Sequence, residues 1–124
     1  MKVLVVAETK DGNLRKTSFE LLAQAQNLGA ADVTALLIGK GVAALADKLA
    51  HYGAGKVLLA EHDSLEHYTT EGYTQVVKQA VDSIQPDLVL FAASANGKDL
   101  AQRLAARLDV GLVSDALELS HDGS

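Results

Sequence analysis

A doubly wound, three-layer α/β domain around a mostly parallel sheet is the fold class this sequence predicts. Three observations predict it. Short apolar runs rich in β-branched residues recur along the chain, segments of helical period separate them, and turn or cap residues stand at the junctions. Strands covered on both faces carry continuous apolar runs, and a β-α alternation places crossover helices on the faces of a parallel sheet. The 124 residues are enough for one domain with one core. This is a Rossmann-like arrangement, with no internal repeat and no low-complexity stretch.

The first strand is Val3–Ala7, and Val33–Ile38, Val57–Ala60 and Leu88–Ala93 repeat its type. Leu21, Leu22, Ala25 and Leu28 form one helical stripe, and Val42, Leu45, Ala46 and Leu49 a second. Tyr73, Val76, Val77, Ala80 and Ile84 form a third, and Leu100, Leu104, Ala105 and Leu108 a fourth. Thr17 and Glu20 have capping-box spacing at the first helix, and Gly29 can stop it in a left-handed conformation. Pro86 ends the third helix. Asn96 with Asp99 opens the fourth, and Arg103 and Arg107 sit toward its carbonyl end, where the dipole favours cations. Right-handed crossovers and one reversal of strand order put Val3–Ala7 between Val33–Ile38 and Leu88–Ala93.

Val110–Val113 has the character of a fifth strand, and Ala116–Ser120 alternates as a half-buried one. His121-Asp122-Gly123 then gives a hairpin signal with no returning strand. The expectation is a piece of a longer protein, cut inside a turn. Ala116–Ser120 should accordingly be an open edge or pair with a neighbouring chain.

Composition narrows the function. The formal charge is −5 and the 11 Lys and Arg are scattered, which argues against a nucleic-acid partner, since phosphate binding needs a clustered basic face. No run approaches the ~18 apolar residues of a membrane span, so no membrane insertion is expected. Met1 leads directly into a strand pattern without a leader, and cysteine is absent. A cytoplasmic location is the simplest expectation.

Two loops carry candidate binding chemistry. Gly39-Lys40-Gly41-Val42-Ala43-Ala44 matches the dinucleotide fingerprint with its permitted final Ala, and Glu61 lies at the ribose-binding offset. It follows the second strand, however, whereas the ligand crevice of such sheets adjoins the first. A glycine turn feeding a helix is the favoured reading, with an NAD-binding dehydrogenase domain as an alternative. Ser94, Asn96, Gly97, Lys98 and Asp99 lie after the fourth strand, at the expected switch point and at a helix N-terminus that suits an anion. Lys98 could neutralise phosphate, but helix capping explains the same residues. The nucleotide alternative is a regulatory module of the universal-stress-protein type. Glu61-His62-Asp63-Ser64-Leu65-Glu66-His67 collects imidazoles and carboxylates whose spacing converges poorly on a metal. No Gly-x-Ser-x-Gly elbow occurs, and no catalytic or metal-ligating set is expected.

The chain resembles the electron-transfer flavoprotein alpha subunits. The resemblance runs from Val3-Leu4-Val5-Val6-Ala7-Glu8 through Asp32-Val33-Thr34 and Gly41-Val42-Ala43-Ala44. It is most specific at Gly97-Lys98-Asp99-Leu100-Ala101, Arg103-Leu104-Ala105-Ala106, Leu108-Asp109-Val110 and Ser114-Asp115. Gln102 departs from the family's usual Pro, which touches helix entry more than function. The resemblance implies a full subunit that binds FAD and pairs with a beta subunit. Such a subunit carries electrons from dehydrogenases toward a quinone-linked acceptor as a carrier, without catalysing a reaction of its own. It also implies a C-terminal domain that holds most FAD contacts and is absent from residues 1–124. Residues 1–124 would then be the amino-terminal assembly domain, with no FAD site of their own. Flavin chemistry needs position and field from the protein rather than a nucleophile, which suits a chain poor in reactive groups.

Overall fold

The computed structural model describes residues 2–10, 12–92, 94–108, 111–113 and 118–120. In chain order its strands are β1 (Lys2–Val6), β2 (Thr9–Lys10), β3 (Asn13–Leu14), β4 (Asp32–Gly39), β5 (Lys56–Glu61), β6 (Leu88–Leu90), β7 (Gly111–Val113) and β8 (Glu118–Ser120). Its α-helices are α1 (Lys16–Asn27), α2 (Ala46–His51), α3 (Thr70–Ile84) and α4 (Ala95–Leu108), with 3-10 turns at Ala43–Leu45 and Asp63–Leu65. Among the described residues the main sheet has the order β5-β4-β1-β6-β8-β7. The β5, β4, β1 and β6 strands are mutually parallel, whereas β8 is antiparallel to both of its neighbours. Val3 pairs with Val33 on one side and with Leu88 on the other, so the first strand is central, as expected.

The period-two geometry of the strands sorts one apolar run into two cores. Val3, Val5, Ala35, Leu37 and Leu90 pack with Leu22, Ala25 and Leu49 of α1 and α2. Leu4, Val6, Leu36, Ile38 and Val89 pack with Val77, Val81 and Leu104 of α3 and α4. Every one of these side chains is buried, and the sheet is covered on both faces. The four helical stripes face these cores, with two exceptions. Leu28, placed in the first stripe, is 45% exposed because α1 ends at Asn27 before the stripe completes its turn. Arg107 and Leu108 form part of α4, and their side chains lie outside the described residues.

Four local expectations change. The capping box at Thr17 and Glu20 does not form: the helix begins at Lys16 after Arg15, with no side-chain cap. Ser18 instead bonds across to Glu8, donating its hydroxyl to the Glu8 carbonyl at 3.1 Å and accepting the Glu8 N–H at 2.8 Å. The segment between β1 and α1, read as loose, contains the antiparallel pair β2–β3, with Gly12 at φ +81°. The third change is at β5, which is a sheet edge with Leu59 44% exposed, so its apolar run does not mark a strand covered on both faces.

The fourth is at the chain's end. Glu118–Ser120 is no open edge, because it fills the place between β6 and β7, pairing Val89 with Leu119 and Leu112 with Leu119. The hairpin precedes this strand rather than following it. A strand inserted beside β6 satisfies two ladders of backbone groups at once, which an edge position does not. Asp109-Val110, Ser114-Asp115, Ala116-Leu117 and the Asp122-Gly123 turn signal lie outside the described residues. Gly29 at φ +75° stops α1 as anticipated. Gln85 takes the left-handed position after α3, and Pro86 keeps the helix from continuing.

Candidate functional site

The chain builds β1, then β4 and β5 on one side, then returns to place β6 on the other. Strand order therefore reverses between β1 and β6, and the crevice of an open α/β sheet lies beyond the carboxyl ends of those strands. A cavity of about 220 Å³ is found there. Its floor is apolar, made by Val6, Ile38, Phe91 and Leu100. Glu8, Arg15 and Asn96 stand at its mouth, with His67 and Tyr68 on the wall that leads into α3.

Hydrogen bonds between distant segments build the mouth. The Ser94 hydroxyl donates to the Glu8 carboxylate and accepts the Gly97 N–H at 3.0 Å. The Ser94 carbonyl accepts the Lys98 N–H at 2.9 Å. Ser94 thus caps α4 while tying it to the end of β1; the cap is not Asn96, which lies inside the helix. Gly97 is required sterically: a Cβ there would stand 2.0 Å from the Ala92 carbonyl oxygen. Arg15 approaches Glu8, its Nε 3.9 Å from the carboxylate.

The five residues of the candidate loop divide. Asn96 and Gly97 line the cavity, Ser94 braces its mouth, and Lys98 and Asp99 do not line it. Lys98 is exposed. Asp99 turns to the α3 side, where its Oδ2 accepts hydrogen bonds from the Tyr68 and Thr70 hydroxyls, each at 2.7 Å. This pair pins the segment before α3 against α4. The two donors, Thr70 first and then Tyr68, hold the Asp99 carboxyl below its usual value. Burial, then the bond to Asp99, disfavours the Tyr68 phenolate and pushes that tyrosine up to about 12.

The sign of the resulting pH dependence follows. A folded value above the ordinary 10.0 of tyrosine gives stability that is complete below pH 10.0 and is lost as pH rises toward about 12. The Asp99 contribution runs the other way, present above the ordinary carboxylate range and lost as pH falls through the lowered value. Replacing Asp99 by Asn should bring Tyr68 down toward 10.0. The check is a phenolate absorbance titration, with Tyr68→Phe identifying the transition, since burial also raises Tyr73. An unchanged transition in the Asn variant would remove Asp99 from the account.

The other loop is structural in its geometry. Glu61 accepts the Val42 N–H at 2.9 Å, so the carboxylate at the ribose offset caps the turn that leads into α2. Gly41 takes φ +68°, and Gly39 sits against the Val42 side chain. This turn follows β4, away from the β1–β6 crevice. His62 accepts the Ser64 N–H at 3.0 Å and caps its own short turn, while Lys40 lies 3.9 Å from both Asp63 and Glu66. Among the described residues no group of three His, Cys, Asp or Glu could hold a metal, and no helix is long and apolar enough to cross a membrane.

Sequence reasoning missed Glu8, Arg15, Tyr68 and Thr70. Glu8 and Ser94 are 86 residues apart, and no local spacing announces their contact. For β2–β3 a signal did exist, because Asp11-Gly12 between Lys10 and Asn13 has two-residue hairpin spacing.

A family model described as the electron transfer flavoprotein domain matches residues 3–124. The chain is 46% identical over 123 residues to the electron transfer flavoprotein subunit alpha of Bacillus subtilis (strain 168), covering 98% of this chain and 38% of that protein. It is 42% identical over 115 residues to the corresponding subunit of Syntrophomonas wolfei, covering 93% of this chain and 36% of that protein. The acryloyl-CoA reductase electron transfer subunit beta of Anaerotignum propionicum is 35% identical over 123 residues, 97% of this chain and 34% of that protein. The chain thus spans little more than a third of the length of these relatives.

Proposed function

We propose that this chain, which belongs to the electron transfer flavoprotein family, is the assembly domain of an FAD-containing alpha subunit. In this reading the subunit pairs with a beta subunit and carries electrons from dehydrogenases to a quinone-linked acceptor. The observation that carries it is the match to alpha subunits over 98% of the chain.

The crevice supports a division of labour within the subunit. Its volume of about 220 Å³ falls below the ~300–1,000 Å³ of pockets that enclose drug-sized ligands, and FAD is larger than those. Pyrophosphate needs free backbone amides at a helix start, and the Gly97 N–H is already taken by Ser94. The described residues therefore do not fit FAD. The flavin belongs to the part of the relatives' length that the match does not cover, and this domain supplies a rigid base for it and for the beta subunit. Two cores built on one central strand suit that role.

The test is to purify the chain, add excess FAD, desalt it, and read absorbance in the flavin band. A colourless protein that melts cooperatively is the expected result. Stoichiometric retained flavin would move the redox site into this domain and end the scaffold reading.

A further inference from the structure

We propose that the cavity between the carboxyl ends of β1 and β6 binds a single small ring bearing an uncharged amino or carboxamide group, with Glu8 accepting its N–H. The ring follows from size and floor. A space of about 220 Å³ holds one ring system with a substituent, and Val6, Ile38, Phe91 and Leu100 present it with apolar surface. Such pockets are recognised by an apolar lining with a few polar groups that fix orientation.

The donor follows from Glu8. Its side chain is 17% exposed, and one carboxylate oxygen, Oε1, is held by the Ser94 hydroxyl. The other, Oε2, has the Arg15 Nε at 3.9 Å, beyond hydrogen-bond distance. It is an acceptor at the mouth of an apolar space, and a largely buried acceptor is stabilised by any donor brought to it.

The charge pattern decides against an anion. Glu8 and Glu66 line the cavity against the single cation Arg15, and Lys98, the cation that the loop sequence offers to phosphate, is not in the lining. The α4 terminus would otherwise attract a carboxylate or phosphate, but Ser94 occupies its Gly97 amide and Glu8 stands before it. A full positive charge on the ligand would meet Arg15, so an uncharged donor fits best. This site is independent of the flavin assignment, and each can fail without the other.

Benzamide and benzoate have the same ring and nearly the same shape, and differ in offering Glu8 an N–H₂ or a negative oxygen. Each is titrated into the isotope-labelled whole chain, following backbone amide shifts. Benzamide should move the amides of Val6, Glu8, Phe91 and Gly97 and bind at least about tenfold more tightly than benzoate, a ratio that corresponds to about 1.4 kcal/mol. In Glu8→Gln, whose side chain can both donate and accept, the preference should fall to about twofold or less. Equal or tighter benzoate binding would make this an anion site on α4 and overturn the proposal. Shifts that map elsewhere, or no saturable binding of benzamide by about 10 mM, would overturn it too. Should the Gln variant fail to fold, the benzamide-to-benzoate ratio and the shift map of the parent chain decide alone.

Discussion

Gly97→Ala should destabilise the chain by about 3 kcal/mol or more, against the direction that helix propensity gives. In an ordinary helix interior the same change stabilises by about 0.8–1.0 kcal/mol, because glycine loses more backbone entropy than alanine. Here the new methyl would stand 2.0 Å from the Ala92 carbonyl oxygen and 3.0 Å from its carbonyl carbon. Neither atom belongs to a flexible side chain. Relief requires α4 to move away from the end of β6, and that movement would pull Ser94 from Glu8 and Leu100 and Leu104 from the core. Broken packing and broken hydrogen bonds are the mechanisms behind the largest single-residue losses. Domains of this kind hold about 5–15 kcal/mol in total, so most of the margin could go. Urea unfolding is the measurement, with Lys98→Ala as the neighbouring control, because Lys98 is exposed and an exposed change costs within about ±0.5 kcal/mol. A Gly97→Ala chain as stable as the parent would show that α4 approaches β6 less closely than this structure places it.

That glycine marks where sequence and structure inform each other. The parallel architecture was legible because each central strand is a run of apolar residues such as Val3–Val6 and Leu36–Ile38, both of whose faces need cover. The helices were legible because Leu21, Leu22 and Ala25, or Val77, Ala80 and Val81, fall on one face. Errors arose where a neighbour distant in sequence replaced a local partner. Thr17 offers a plausible cap, but Arg15 and Ser18 are both drawn to Glu8, and α1 starts earlier. Asn96 and Asp99 look like a helix opening. Ser94 takes the cap, however, and Asp99 is claimed by Tyr68 and Thr70, 31 and 29 residues away. Asymmetric exposure was also invisible in β5, whose Val57-Leu58-Leu59-Ala60 resembles a buried strand yet forms the edge. The site suffered most, since its loop could be read from Ser94 and Gly97 but its acceptor and lid came from elsewhere in the chain.

Phe91→Ala should cost about 3 kcal/mol, while Leu59→Ala should change stability by no more than about 0.5 kcal/mol. Both are large apolar residues in or directly after strands of one sheet, and hydrophobicity alone would rank them as similar. Phe91 is 1% exposed and packs in the core between the sheet and α3–α4, whereas Leu59 is 44% exposed on the edge strand. Deleting a buried phenyl ring removes its transfer free energy and leaves a void, together typically about 3–5 kcal/mol. The lower end is expected because Phe91 also floors the β1–β6 cavity. The space it vacates joins one already reached from the mouth, so water can enter, and only part of the void penalty is felt. Leu104, fully buried in the same core but absent from the cavity lining, isolates that effect. Leu104→Ala leaves a closed void, so per atom removed it should cost more than Phe91→Ala. Denaturant midpoints of the three variants give the order. A loss from Leu59→Ala equal to that from Phe91→Ala would mean that β5 is covered by another surface in solution. A per-atom cost for Phe91 as high as for Leu104 would mean that the crevice closes over the missing ring instead of filling with water.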